Sequence, residues 1–183
     1  GGTDPAFFAG TPAYGTTMLE IIAFCCGALV MVLEMVGARV LAPHVGTSAV
    51  VWTSLIGVVL ACLAVGAWLG GRLADRHLSR RGLAFILTGA SLGSALAAGT
   101  HRLVGEALSV AITDIHLAAV ACALGILALP ALCCGMISPY IIRLRIRDVA
   151  TSGATVGRLY ALSTAGSIVG TFLGGFVLIS FFA

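Results

Sequence analysis

Five long apolar segments constrain this chain more than any other feature of its sequence. They cover roughly residues 18–42, 49–70, 83–104, 115–138 and 156–182. Each is long enough to cross a hydrocarbon core, which takes about 20 residues of helix. A helix satisfies its own backbone hydrogen bonds in lipid, and the segments are too long and too uniformly apolar for barrel strands. The sequence therefore predicts an all-α polytopic membrane protein.

The remaining composition excludes several classes of function. Only 9% of the residues are charged, against roughly a quarter in soluble domains. The net charge of +3 comes from arginines in a few loops, so nucleic-acid binding is not expected. No two of the 24 glycines are separated by a single residue, which excludes a Gly-x-Gly dinucleotide fingerprint, and there is no P-loop. We expect no catalytic residues, no cofactor and no enzymatic activity in this chain.

Metal binding is not expected either. The six cysteines lie inside apolar segments, where cysteine behaves as a small hydrophobic residue. His44, His101 and His116 lack the spacing of a metal-binding helix face.

Arginine placement predicts the topology. Eight of the ten arginines lie in two loops, at positions 72, 76, 80, 81, 143, 145, 147 and 158. By the positive-inside rule, both loops and the N-terminus are cytoplasmic. The expected location is a bacterial inner membrane.

The chain divides into an N-terminal tail or expression remnant at 1–17 and a transmembrane domain at 18–183. The odd number of spans and the apolar end at Phe181 and Phe182 suggest that the natural protein continues or that this is a fragment.

Glu34 is the carboxylate that lies deepest in a predicted span, and it shares a helix face with Gly27 and Val30. An ionisable group at this depth is a functional-site hypothesis by default. One interpretation is a substrate-binding site for a cation or proton; the other is a buried hydrogen bond or an ion pair, with Arg39 nearby. Trp52 is either an aromatic wall for an organic cation or an interfacial anchor.

Small residues and prolines predict how the helices pack. Gly166, Gly170 and Gly174 repeat every four residues, after Gly153 and Gly157, and line one face of the fifth helix. This face serves either packing within the chain or a homodimer seam. Pro130 predicts a kink in the fourth helix. Pro139 predicts the end of that span, or the start of a surface helix that carries Arg143, Arg145 and Arg147.

The loop at 70–81 resembles the signature loop of major facilitator transporters, with Gly71, Asp75 and Arg76 in order and Leu78 where that signature has glycine. A longer resemblance covers roughly residues 18–183 and is carried by 33–43 (LEMVGARVLAP), 46–48 (GTS), 51–54 (VWTS) and 159–171 (LYALSTAGSIVGT). These motifs resemble the membrane domain of the fused major-facilitator/spermidine-synthase-like family.

The resemblance implies half of a major facilitator fold, a polyamine-related context and a soluble synthase domain as a partner. The leading hypothesis is a membrane domain that binds or helps translocate a small cationic metabolite, with Glu34 and Trp52 as its ligands. Asp75, Arg76 and Arg80 would form a cytoplasmic latch between helix ends. A half fold implies a homo-oligomer or other membrane subunits. The alternative is a non-transporting subunit or anchor of a larger membrane complex.

Overall fold

The computed structural model describes residues 13–146 and 152–178, and within them every secondary-structure element is a helix. The helices are α1 (Ala13–Val45), α2 (Ala49–Arg76), α3 (Arg80–Ala111), α4 (Ile115–Arg145) and α5 (Ser152–Phe172). A π-helical segment, Leu173–Leu178, continues α5. All five helices are long and apolar enough to cross a membrane. The described chain is therefore the all-α, five-helix membrane fold that the apolar segments predict.

Each helix extends beyond the apolar segment that predicted it. At 1.5 Å per residue, the 28 residues of α2 span roughly 42 Å, more than the roughly 30 Å of a hydrocarbon core. The first helix starts at Ala13, inside the predicted tail, whereas residues 1–12 lie outside the described part of the chain. The predicted end of the fifth helix at residue 182 and Arg147 also lie outside it.

Short loops and local caps set where the helices turn. Residues 46–48, 77–79 and 112–114 join consecutive helices, which makes sequence neighbours antiparallel. Gly46 follows α1 with a φ of 82°, a left-handed conformation that glycine adopts without a steric penalty. The Ser79 hydroxyl accepts a hydrogen bond from the Gly82 amide (2.9 Å) and caps α3.

The sequence predicted that Pro139 ends the fourth span or starts a separate surface helix, but α4 runs through Pro139 as one helix and continues to Arg145. Proline removes one backbone hydrogen bond, yet the next two residues, Tyr140 and Ile141, are almost completely buried against neighbouring helices. Packing of this turn therefore holds the helix together across the proline. Pro130 also lies inside α4 and is fully buried.

The fourth helix is the centre of the bundle, and α1, α2 and α3 all pack against it. One buried group of apolar residues includes Leu41, Leu55 and Ala119; a second includes Ala23, Ile86 and Tyr140. The second group lies towards the end of the bundle that carries Arg72, Arg76, Arg80, Arg81, Arg143, Arg145 and Arg158, here called the basic end. The fifth helix packs mainly against α1.

Candidate functional site

Glu34 lies on the face of α1 that turns towards the protein. Residues seven apart share a helix face, and Gly27 and Leu41, seven positions to either side of Glu34, are both buried. A Cβ added at Gly37 would contact the side chains of Leu127 of α4 and Leu55 of α2. Glu34 is itself only half-buried. Glu34 therefore lies on the face of α1 that turns towards the bundle, with part of its side chain left uncovered by the described residues.

Within the described residues, nothing pairs with the Glu34 carboxylate. The ion pairs found there involve Glu20 and Asp75, and no hydrogen bond to the Glu34 side chain is formed. Arg39, the neighbour expected as a partner, is exposed. The described part of the chain thus does not supply the hydrogen bond or ion pair that a purely structural role for Glu34 requires.

The contact between α1 and α5 loosens towards Glu34. A Cβ added at Gly166 or Gly170 would overlap the backbone carbonyls of Phe24 and Ala28. At Gly174 the nearest atoms are instead the Met35 Cβ, at 3.3 Å, and the Val32 Cα, at 3.7 Å. Gly174 belongs to the π segment, and such segments are frequent at functional sites.

These three glycines face α1 of the same chain, so their face of α5 is already covered. Ser167 adds a hydrogen bond from its hydroxyl to the Gly27 carbonyl (3.2 Å). Gly153 and Gly157, nearer the N-terminus of α5, do not share this close contact. A Cβ at either position would meet no described atom within 4 Å. A second close seam joins α2 and α4, where Gly66 and Gly135 approach the carbonyls of Leu132 and Leu63.

Trp52 lies in the first turn of α2 and is 42% exposed. A Cβ at Gly37 would contact the Leu55 side chain, so these two residues lie at about the same depth. Glu34 is three residues from Gly37 and Trp52 is three residues from Leu55, in opposite directions along the bundle because α1 and α2 are antiparallel. Glu34 and Trp52 therefore differ in depth by roughly 9 Å. A ligand that touches both residues therefore needs two separated contact points. The other tryptophan, Trp68, forms a cation–π contact within the chain: its ring centre lies 4.2 Å from the guanidinium carbon of Arg72.

Asp75 and Arg143 form an ion pair (3.3 Å) that joins the C-terminal ends of α2 and α4. Both side chains are more than half exposed, so the pair contributes little stability. Arg76 and Arg80 are exposed, and neither forms an ion pair within the described residues.

A second charged group at the basic end was not anticipated from the sequence. Glu20 of α1 pairs with Arg145 of α4 (3.4 Å) and Arg158 of α5 (3.1 Å), and its side chain is only 15% exposed. The sequence holds one signal for this group: Glu20 is an acidic residue at the start of the first span, on the same predicted side of the membrane as the arginines. This group connects three helices.

The described residues contain no group of three or more His, Cys, Asp or Glu side chains arranged to hold a metal ion. Cys26 and Cys134 meet between α1 and α4, where the Cys26 thiol donates to the Cys134 carbonyl at 3.5 Å. This contact belongs to helix packing.

Fold and composition together define the class: an integral, all-α membrane protein with five helices capable of spanning the bilayer. No family model, curated protein or solved structure matches the chain. The resemblance to the major-facilitator/spermidine-synthase-like family therefore stays a prediction from the motifs quoted above.

Proposed function

We propose that this chain is a membrane domain that binds a small organic cation, such as a polyamine, and helps to move it across the bilayer. The observation that carries the proposal is Glu34: a carboxylate on the inward face of α1, half-buried, with no partner among the described residues. Glu34 is the acidic ligand for the cation.

The energetic argument concerns the cost of an unpaired carboxylate in a membrane. A charged side chain near the bilayer centre costs roughly 3 kcal/mol on insertion scales. A bound ammonium group offsets part of that cost, and it gains strength from the low local dielectric. The carboxylate thus favours a cationic ligand over a neutral one of the same shape.

Trp52 supplies a second contact, because an exposed indole face attracts ammonium groups. Its separation in depth from Glu34 favours an extended cation with more than one amine over a compact one. Translocation requires a second half of the path, which another copy of the chain or a partner subunit provides.

The test is spermidine binding to the purified chain in lipid nanodiscs, measured by equilibrium dialysis or calorimetry. We expect saturable binding that Glu34→Gln weakens by at least about tenfold, since a charge-assisted hydrogen bond is lost. Glu106→Gln is the matched control, because it makes the same chemical change at an exposed residue of α3 and should leave binding unchanged. Equal binding by wild type and Glu34→Gln, or no saturable binding at all, contradicts the proposal.

A further inference from the structure

A small cavity lies at the basic end where α1, α4 and α5 meet. Its volume is about 190 Å³, and it is lined by Glu20, Arg145, Ala154, Thr155, Arg158 and Leu159. A cavity needs roughly 10–15 Å³ to hold one water molecule, so this one has room for a small ion and its hydration. It is separate from Glu34, which lies fourteen residues along α1, roughly 21 Å away at helical rise.

The charges around this cavity do not balance. Glu20 contributes one negative charge, and both of its oxygens are engaged, Oε1 with Arg145 and Oε2 with Arg158. The two guanidinium groups contribute two positive charges. Among the described residues, the lining therefore carries a net charge of +1, with no carboxylate oxygen left to neutralise it.

Arg145, which lines this cavity, has one donor atom that is buried and unsatisfied. Arg145 uses Nη2 for Glu20, whereas its Nη1 is buried without a hydrogen-bond partner. A buried charged donor without an acceptor costs more than the loss of an ordinary hydrogen bond. Native structures satisfy such groups, so an acceptor from outside the described residues is expected at this position.

We propose that this cavity binds an anion with phosphate chemistry, either the headgroup phosphate of a lipid or a free phosphate group. Phosphate supplies the missing negative charge and several acceptor oxygens, and the planar guanidinium fork of arginine matches its geometry. The hydroxyl of Thr155, which lines the same cavity, is a further donor. Arg158 is 65% exposed, which leaves the binding position open to the membrane surface.

The experiment uses the full chain purified in a phosphate-free, zwitterionic detergent. Inorganic phosphate is titrated at constant ionic strength, and phosphatidylglycerol and phosphatidylcholine are added in separate arms followed by native mass spectrometry. Arg145→Gln and Arg158→Gln remove one donor group each. Arg76→Gln is the matched control, because Arg76 is exposed at the same end and forms no ion pair within the described residues.

We expect wild type and Arg76→Gln to bind the phosphate group at least about tenfold more tightly than Arg145→Gln or Arg158→Gln. Binding of phosphatidylglycerol without inorganic phosphate identifies a lipid headgroup as the source; binding of inorganic phosphate identifies a free phosphate group as sufficient. If Arg145→Gln loses its helical circular dichroism, the exposed Arg158→Gln decides the question, with Arg158→Lys expected to restore part of the binding. Absence of binding in both arms, or unchanged binding in the folded arginine variants, overturns the proposal.

Discussion

Gly166→Ala is the substitution whose effect the structure defines most sharply. Its new Cβ would overlap the Phe24 carbonyl oxygen and lie 2.8 Å from the carbonyl carbon and 3.1 Å from the Cα. Non-bonded carbon atoms prefer about 3.5–4.0 Å, so α1 and α5 would have to separate locally by about 1 Å. Backbone atoms cannot rotate away as a flexible side chain can.

Two energies oppose each other in this variant. Alanine gains about 1 kcal/mol over glycine from helix propensity, whereas forcing atoms into a packed interface costs about 1–3 kcal/mol. The clash also weakens the neighbouring contacts of Gly27 and Gly170 on the same seam. We therefore expect a net loss of up to about 2 kcal/mol in the free energy of unfolding.

The assay is reversible unfolding in mixed micelles of a mild detergent and dodecyl sulfate, followed by circular dichroism. Gly57→Ala is the matched control, because Gly57 lies inside α2, is exposed, and would have no described atom within 4 Å of a new Cβ. This control should be neutral or slightly stabilising. Equal stability of Gly166→Ala and Gly57→Ala would refute the close backbone approach at the α1–α5 seam.

Two further predictions concern loop contacts. Tyr140→Phe should lower the free energy of unfolding by about 1–3 kcal/mol, because the hydroxyl donates to the His77 carbonyl (2.8 Å) and accepts from the Ser79 amide (3.1 Å). Tyr160→Phe, at a residue 74% exposed, is its control and should have no effect in the same unfolding assay; equal losses would contradict the prediction. The amides of Leu117 and His116 donate to Asp114 and lower its pKa. Because the folded pKa lies below the unfolded value of about 3.9, the stability from this cap is present above that value and is lost as the pH falls through the folded pKa. The difference in melting temperature between wild type and Asp114→Asn should therefore shrink on acidification, and a constant difference would contradict this reasoning.

Hydropathy predicts the number of spans because the bilayer imposes a length and an apolar composition on each helix separately. It does not predict where a helix stops, since that depends on packing partners. Pro139 shows this. Proline lacks a backbone donor, which predicts a break in the helix, yet burial of Tyr140 and Ile141 keeps α4 intact. The prediction of five membrane-spanning helices is confirmed, and the site assignments and transport hypothesis stay predictions.

The charged group around Glu20 was missed because it depends on three helix ends that are distant in sequence. Glu20 and Arg158 are 138 positions apart, and no periodicity within one helix relates them. The transporter-like loop contains Asp75, whose pair with Arg143 is exposed, whereas the more buried carboxylate, Glu20, lies outside that loop. Burial, which decides how much an ion pair contributes, is a property of the folded bundle.

The arrangement of close and loose contacts along α1 gives Glu34 its significance. Near the basic end, α1 is held to α5 by backbone contacts at Gly27, Gly166 and Gly170 that leave no space for a ligand. Beyond them, Gly174 of the π segment contacts the side chain of Met35, the residue that follows Glu34 on α1. This contact is looser than those at Gly166 and Gly170. A methionine side chain has three rotatable bonds and adapts to a neighbouring ligand at low cost. On the proposed function, a cation would reach Glu34 in this looser region without separating the close seam. Because the seam is tight at one level and adaptable at another, α1 can hold the bundle together and also carry a carboxylate that has no partner among the described residues.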